Sequence, residues 1–442
     1  MARCGPRRST ATSRLRTWVS LVPRAFSIPF GAGTFSLDID AELLQPPHAE
    51  PLADETAAVQ YALDHPIGTP PLNQMVRPGE SVAVVVNDIT RLVRSEVFLP
   101  VLVNTLNRAG IPDGDIFIVF ALGTHRRHSV AEQRRIVGEE IFRRIRLYDH
   151  DGADTENLVT VGVTRFGNRV EINRRVYEAD RIVLTGQIIE HRIAGYSGGR
   201  KSLVPGVAGN RTTEFNHRMV LDPRCRAGVL DGNPAHEDLL EACALADPDF
   251  ILNVILSPAG ELLHAVAGHF DQAHREGCRA AARLLGAWIE APFDVIIASS
   301  GGSPLDVDLR QAHKGMENAS AALRPGGSLF YYAECGDGLG SARIGEYLSR
   351  YTTAQEMEAA LRENFVVGGH KALWLARLGE RYDVHLVTRL DPFFVRRCGF
   401  HAPPPEEHES RLRALLESKS YPRAGVMPNA SFTAPHFPEL IR

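Results

Sequence analysis

Lysine is nearly missing from this chain. Of the 49 basic residues only four are lysines, Lys201, Lys314, Lys371 and Lys419, and arginine supplies the rest. A guanidinium cannot serve as an amine nucleophile or a compact ammonium, so each retained lysine is a place to look for chemistry. Paired cysteines are missing as well. Six are scattered with no CxxC spacing, which excludes a disulfide framework and a zinc ribbon and fits a reducing, cytoplasmic setting. No run of about 18 uncharged apolar residues occurs, so no segment reads as a membrane-spanning helix. Positive charge is not in excess either: the formal net charge of −4 argues against a nucleic-acid partner held by phosphate neutralisation.

What is present lies within the globular norm, with 44% hydrophobic and 23% charged residues over 442 positions. That length implies two or three domains at roughly 100–200 residues each. The first 37 residues hold six arginines and no acid before Asp38. This resembles a transit-peptide composition, but a disordered or over-long start fits an arginine-rich chain better. Residues 1–25 are therefore expected to be an extension, with folding from about Phe26.

Short runs rich in β-branched residues recur at 81–87, 116–121, 181–189, 250–256, 294–298, 328–333 and 382–388. They are apolar on both faces, as strands of a covered parallel sheet are. Helical stretches at 98–109, 131–144, 272–285 and 311–323 alternate with them, which predicts an α/β fold. The restart after Trp288 predicts two α/β domains, 26–285 and 290–442, with mainly parallel sheets facing an interdomain cleft. The Pro-rich tail from Tyr421 is expected to pack irregularly.

In such folds function collects in loops leaving the carboxyl ends of strands. After 81–87 come Asp88, Thr90 and Arg91, suited to a sugar hydroxyl and an anion, or to a cap and a surface ion pair. After 116–121 the string Gly123-Thr124-His125 offers an imidazole to the cleft, or a structural histidine. The densest string runs from Gln187 through His191, Gly195, Gly198, Gly199, Arg200, Lys201 and Ser202 to Gly209. Its five glycines imply close backbone approach or repeated positive φ. It nearly matches GxxxxGK[ST], but Arg200 stands where that phosphate loop needs glycine, so a nucleotide triphosphatase is rejected. His217 follows sixteen residues after Lys201, and a neutral imidazole is a ready ligand for nickel or zinc. No HExxH or two-His-one-carboxylate spacing accompanies it, so a cage built by protein alone is poorly supported. After 294–298, Arg310, Gln311 and Lys314 start a helix, with Gln311 and Lys314 on one face. They could hold a carboxylate or simply begin an amphipathic helix.

Taken together, these strings resemble the lactate racemase family over nearly the whole chain from Phe26, most densely in HRIAGYSGGRKSLVPG. The resemblance implies a nickel-pincer nucleotide (pyridinium-3-thioamide-5-thiocarboxylic acid mononucleotide carrying nickel). It implies that Lys201 joins this cofactor covalently through a thioamide, that His217 is the protein ligand to nickel, and that His125 and His191 are the acid–base pair. Asp88, Thr90, Gly198 and Gly199 would contact the cofactor. Arg91, Arg310, Gln311, Lys314 and Trp374 would face the substrate, a small 2-hydroxy acid. Arg310 departs from the family pattern, since lactate-specific members carry tyrosine there. The implied reaction is racemisation by proton-coupled hydride transfer through a 2-keto acid, which avoids a carbanion beside a carboxylate and needs one base per enantiomer. Short aliphatic acids such as lactate and 2-hydroxybutyrate are the expected substrates. Malate or another dicarboxylate, a sugar-acid epimerisation, a Schiff-base enzyme using Lys201, and a non-catalytic cofactor carrier or nucleotide-binding module are the alternatives. Cofactor-building proteins are the expected transient partners, without nucleic acid or membrane.

Overall fold

A computed structural model describes residues 24–437 except 92, 367, 420 and 421. Two separate sheets organise it. The larger has the order Leu262–Gly268, Phe250–Leu256, Arg181–Gln187, Val82–Asn87, Ile116–Ala121, Arg146–Asp149. All its pairings are parallel except that of the edge strand Leu262–Gly268. The run of valines in Val82–Asn87 follows from its central place. Val82, Val84 and Val86 enter one core while Ala83 and Val85 enter the core on the opposite face, so the strand must be apolar on both sides.

The smaller sheet has the order Asp383–Val387, Leu323–Tyr332, Phe293–Ser299, Ala424–Met427, Glu42–Leu43 and is parallel throughout. Here too the faces alternate: Leu329 and Tyr331 go to one core, Phe330 and Tyr332 to the other. The second of these cores is closed by an N-terminal hairpin, Arg24–Phe30 with Gly33–Ile39. Its Phe26, Ile28, Phe30, Leu37 and Ile39 lie on Val295, Ile297, Phe330 and Tyr332.

That hairpin corrects the expected division of the chain. Residues 24–43 belong with the second sheet, so the unit expected to span 26–285 begins only after them. The tail is corrected as well. Ala424–Met427 is an inner strand of the second sheet, and Ala434–His436 pairs with Gly286–Trp288. Residues 1–23 of the expected extension lie outside the described residues, while Arg24 and Ala25 already pair in the hairpin. The five cysteines among the described residues are free. Among those residues no helix is long and apolar enough to cross a membrane.

Candidate active site

The carboxyl ends of Val82–Asn87, Ile116–Ala121 and Arg181–Gln187 release the loops that hold the chemistry. Asp88 is buried at the first of these ends. Its carboxylate accepts from Thr90 Oγ1 at 2.8 Å and lies 2.5 Å from His125 Nδ1. A carboxylate on Nδ1 places the proton there and leaves Nε2 as the free base of a half-exposed ring, whose side chain is 50% accessible. The loop itself is braced from beneath by His128. One ring nitrogen bonds Asp149 at 2.9 Å and the other meets the Ile89 backbone N–H at 3.1 Å. Sequence reasoning missed this brace, although His128 stands three residues after His125.

The glycine-rich loop folds back as a two-residue ladder, His191 opposite Gly195. Gly195 has φ +73°, and a Cβ there would fall 2.0 Å from the Val229 carbonyl oxygen. Only glycine fits this turn. Gly198 and Gly199 have a packing role. A Cβ at Gly198 would meet the His274 ring at 2.7 Å. The Gly199 N–H is taken by the buried Asn253 Oδ1 at 2.7 Å, and its carbonyl accepts from Ser202. The Gly199 N–H is thus committed within the fold, and its expected contact to a cofactor would be made by its Cα face or its carbonyl.

The same loop delivers two functional side chains against each other. His191 Nδ1 accepts from the backbone N–H groups of Ile193 and Ala194, both at 3.2 Å. The ring proton therefore sits on Nε2, 2.7 Å from Lys201 Nζ. Burial first, then the charge of Arg91, pushes the Lys201 ammonium well below its ordinary range. Both causes favour the uncharged amine, the form that can accept that proton or attack an electrophile. Burial also holds His191 well below the usual histidine value, followed by the charges of Lys201, Arg91, His217 and Arg192.

His217 lies on the helix Asn210–Arg218. Its Nδ1 donates to the Thr213 carbonyl at 2.8 Å, one turn back, which leaves Nε2 with its lone pair. Burial, with Lys201 adding to it, lowers its pKa to about 4. The ring is neutral at pH 7 and competent as a metal ligand.

From the second sheet comes the helix Leu309–Ala321, started by Asp308, whose side chain accepts from the Gln311 N–H at 2.7 Å. Lys314 Nζ donates to Gln311 Oε1 at 2.7 Å, as their shared face predicts. Arg310 stays at the rim, 47% accessible and 3.9 Å from Asp308. Burial and then Arg91 lower Lys314, so the Arg91 cation acts on Lys201, His191 and Lys314 alike. Trp374, on the helix Gly369–Arg381, meets His313 edge-on at 5.9 Å and lies 5.6 Å from the Arg192 guanidinium. Arg192 also pairs with Glu317 at 3.0 Å. This bridge joins the glycine-rich loop to the second sheet's helices, and it was not anticipated.

A carboxylate-oriented histidine, a second histidine bonded to a buried lysine, and cations converging from both sheets make this a candidate acid–base site in an α/β fold. Comparison with known proteins places it further. A family described as the lactate racemase N-terminal domain matches residues 30–228, and one described as the lactate racemase C-terminal domain matches 289–401. A lactate racemase from Thermoanaerobacterium thermosaccharolyticum is 32% identical over 374 residues, covering 82% of this chain and 87% of that protein. One from Lactiplantibacillus plantarum is 32% identical over 324 residues, covering 72% and 76%. The lactate racemase apoprotein structure from T. thermosaccharolyticum superposes with a TM-score of 0.82 at 29% identity, covering 93% of this chain and all of that one. A Thermotoga maritima protein at 18% identity and TM-score 0.61 shares the fold, covering 88% of this chain and all of its own. The chain belongs to the lactate racemase family and is an isomerase of the racemase type.

Proposed function

We propose that this protein racemises short aliphatic 2-hydroxy acids, lactate and 2-hydroxybutyrate foremost, using a nickel-pincer nucleotide held on Lys201. The observation that carries this reading is the buried Lys201 amine, 2.7 Å from His191 Nε2 and close enough to His217 to depress it. The donor set suits the group. A neutral, buried amine is the form that can be acylated, and His217 presents one free nitrogen to a metal. The Thr213 Oγ1 and Asn87 Oδ1 atoms are buried without a protein partner. When bound, the nucleotide supplies a hydride acceptor, so that loss of a proton and a hydride from the substrate gives a 2-keto acid.

The chain's own residues do the rest. Arg91, Lys314 and Gln311 would fix the substrate carboxylate, with the Lys314 ammonium anchored by Gln311. His125 Nε2 would take the hydroxyl proton of one enantiomer, and Asp88 stabilises the imidazolium that results. His191 would serve the other enantiomer. Trp374 and the Arg192–Glu317 bridge would help close the cleft to water. Proteins that build and load the cofactor, and a cytoplasmic setting, belong to this reading.

A dicarboxylate such as malate is the second reading, favoured by three cations near the rim. Lys371 Nζ reaches the Arg310 carbonyl at 3.4 Å, and Arg310 and Lys314 both act on Lys371. The test uses nickel-loaded protein made together with the cofactor-building enzymes. Single enantiomers of lactate, 2-hydroxybutyrate and malate are incubated and the antipode is followed by chiral chromatography. Formation of the lactate or 2-hydroxybutyrate antipode supports the first reading. Faster racemisation of malate replaces it with the second, and silence on all three refutes both.

A further inference from the structure

A second cluster of ligating side chains lies away from the cleft. Asp383 begins the edge strand Asp383–Val387 of the smaller sheet, and His385 follows two residues on, on the same face. His401 joins them through the backbone. Its N–H donates to the Val384 carbonyl at 2.8 Å and its carbonyl accepts from Leu386 at 2.9 Å, so it bridges in parallel register beside His385. The site residues Arg310, Gln311 and Lys314 follow the carboxyl end of this parallel sheet, whereas Asp383 stands at its amino end.

One carboxylate oxygen, Asp383 Oδ1, faces the Nε2 atoms of both histidines, at 3.3 Å from His385 and 3.1 Å from His401. The other, Oδ2, accepts from Ser328 Oγ at 2.9 Å, which fixes the carboxylate's orientation as an outer-shell partner does, and lies equally 3.3 Å from His385 Nε2. The His385 ring is held between Phe330, at 5.5 Å and 16°, and the His401 ring, at 4.5 Å and 22°. One donor atom from each of the three residues falls within 4.8 Å of the others. A tetrahedral ion with bonds of about 2.0–2.1 Å has ligand-to-ligand edges of roughly 3.3 Å. The two nitrogen–oxygen separations match such edges, and turning the exposed His401 ring out of its stack on His385 would bring its Nε2 lone pair toward a shared ion with the strand in place. His401 is 65% accessible on the open side, leaving room for water as a fourth ligand.

We propose that Asp383, His385 and His401 form a binding site for a divalent transition-metal ion of the zinc class, separate from the cleft. Two imidazoles and one carboxylate suit zinc or cobalt and are a poor match for magnesium or calcium, which prefer all-oxygen shells. Bound there, the ion would clip the edge strand to the segment that follows the helix Pro392–Arg397.

The experiment uses the full chain, stripped with a chelator and dialysed against Zn²⁺, alongside Asp383→Asn and His401→Ala. His401 is exposed, so its replacement leaves the core untouched, and circular dichroism checks the fold of both variants. Cleft histidines can also take zinc, so the reading is the difference between chains: the parent retains one more ion per chain than either variant. Loading with Co²⁺ should give the intense visible bands of a four-coordinate site, lost in both variants. Zinc should raise the melting temperature of the parent and leave that of the variants unmoved. Equal zinc content and equal cobalt spectra in all three chains would overturn the proposal, and so would retention of no zinc by the parent. None of these outcomes depends on whether the cleft racemises a 2-hydroxy acid.

Discussion

His125 and His191 are the same side chain in opposite surroundings. His125 is half-exposed, with a buried carboxylate 2.5 Å from its Nδ1. His191 is set among Lys201, Arg91, His217 and Arg192, and its Nδ1 is occupied by two backbone N–H groups. A carboxylate on Nδ1 fixes the His125 tautomer with Nε2 unprotonated. At His191 burial first, then the neighbouring cations, disfavour the imidazolium. The two rings also present different atoms: the His191 Nε2 faces Lys201. If these two are the bases that the proposed racemisation needs, one per enantiomer, they are set in unlike surroundings.

The largest effect is expected at Lys201, the residue bonded to His191. Lys201→Arg should abolish covalent cofactor attachment and all turnover, read by intact mass and by antipode formation. A full-mass adduct on the arginine variant would defeat the attachment role. His125→Ala and His191→Ala should each keep the cofactor and lose about 10²–10⁴-fold in racemisation. Single-turnover measurements with each enantiomer sharpen the contrast: each variant should still oxidise one enantiomer and fail with the other. Identical losses on both enantiomers in both variants would erase the distinction drawn above. Asp88→Asn leaves the His125 ring in place without its charged partner, and kcat should fall by roughly 10- to 100-fold, with little effect if His191 is substituted as well.

Smaller effects belong to the rim. Burial, then the charges of Lys314, Arg192 and Arg310, lower Lys371 to about 8. Lys371 is therefore charged below that pH and neutral above it. If its ammonium helps hold the substrate carboxylate, kcat/KM should fall as pH rises through about 8, and Lys371→Gln should remove that limb while leaving the rest of the profile. The smallest expected change is in substrate preference. Arg310→Tyr should raise the ratio of lactate to malate kcat/KM by about tenfold, equivalent to about 1.4 kcal/mol. An unchanged ratio would leave Arg310 as a solvent-facing partner of Asp308.

The central strands were legible because burial on both faces writes itself as an unbroken apolar run, as in Val82–Asn87 and Phe250–Leu256. Strands that owe their place to neighbours were not. Glu42–Leu43 has two residues, and Ala424–Met427 is short and lies in a Pro-rich tail. In the site, the scarcity of lysine pointed to Lys201 and the glycines to a tight loop. What the glycine pattern did not reveal is that the Gly199 amide is taken by Asn253 within the fold. Pairs such as Arg192 with Glu317 and His128 with Asp149 join residues with no periodic relation, so only the tertiary structure reveals them. The Asp383–His385 spacing is visible in the chain, whereas His401 reaches them only through its backbone bridge.

The N-terminal hairpin has a mechanical consequence. Because residues 24–43 lie on the smaller sheet, the chain leaves that unit, builds the larger sheet, and returns near Gly286–Trp288. The two units are therefore tied by two covalent crossings. Side chains add to these crossings: the glycine-rich loop is held to the smaller unit by the Arg192–Glu317 pair and to the C-terminal segment by the Glu190–His436 pair. Cutting the chain at either crossing alone would leave the halves attached through the other, because the smaller unit is built from both ends of the chain around the contiguous larger one.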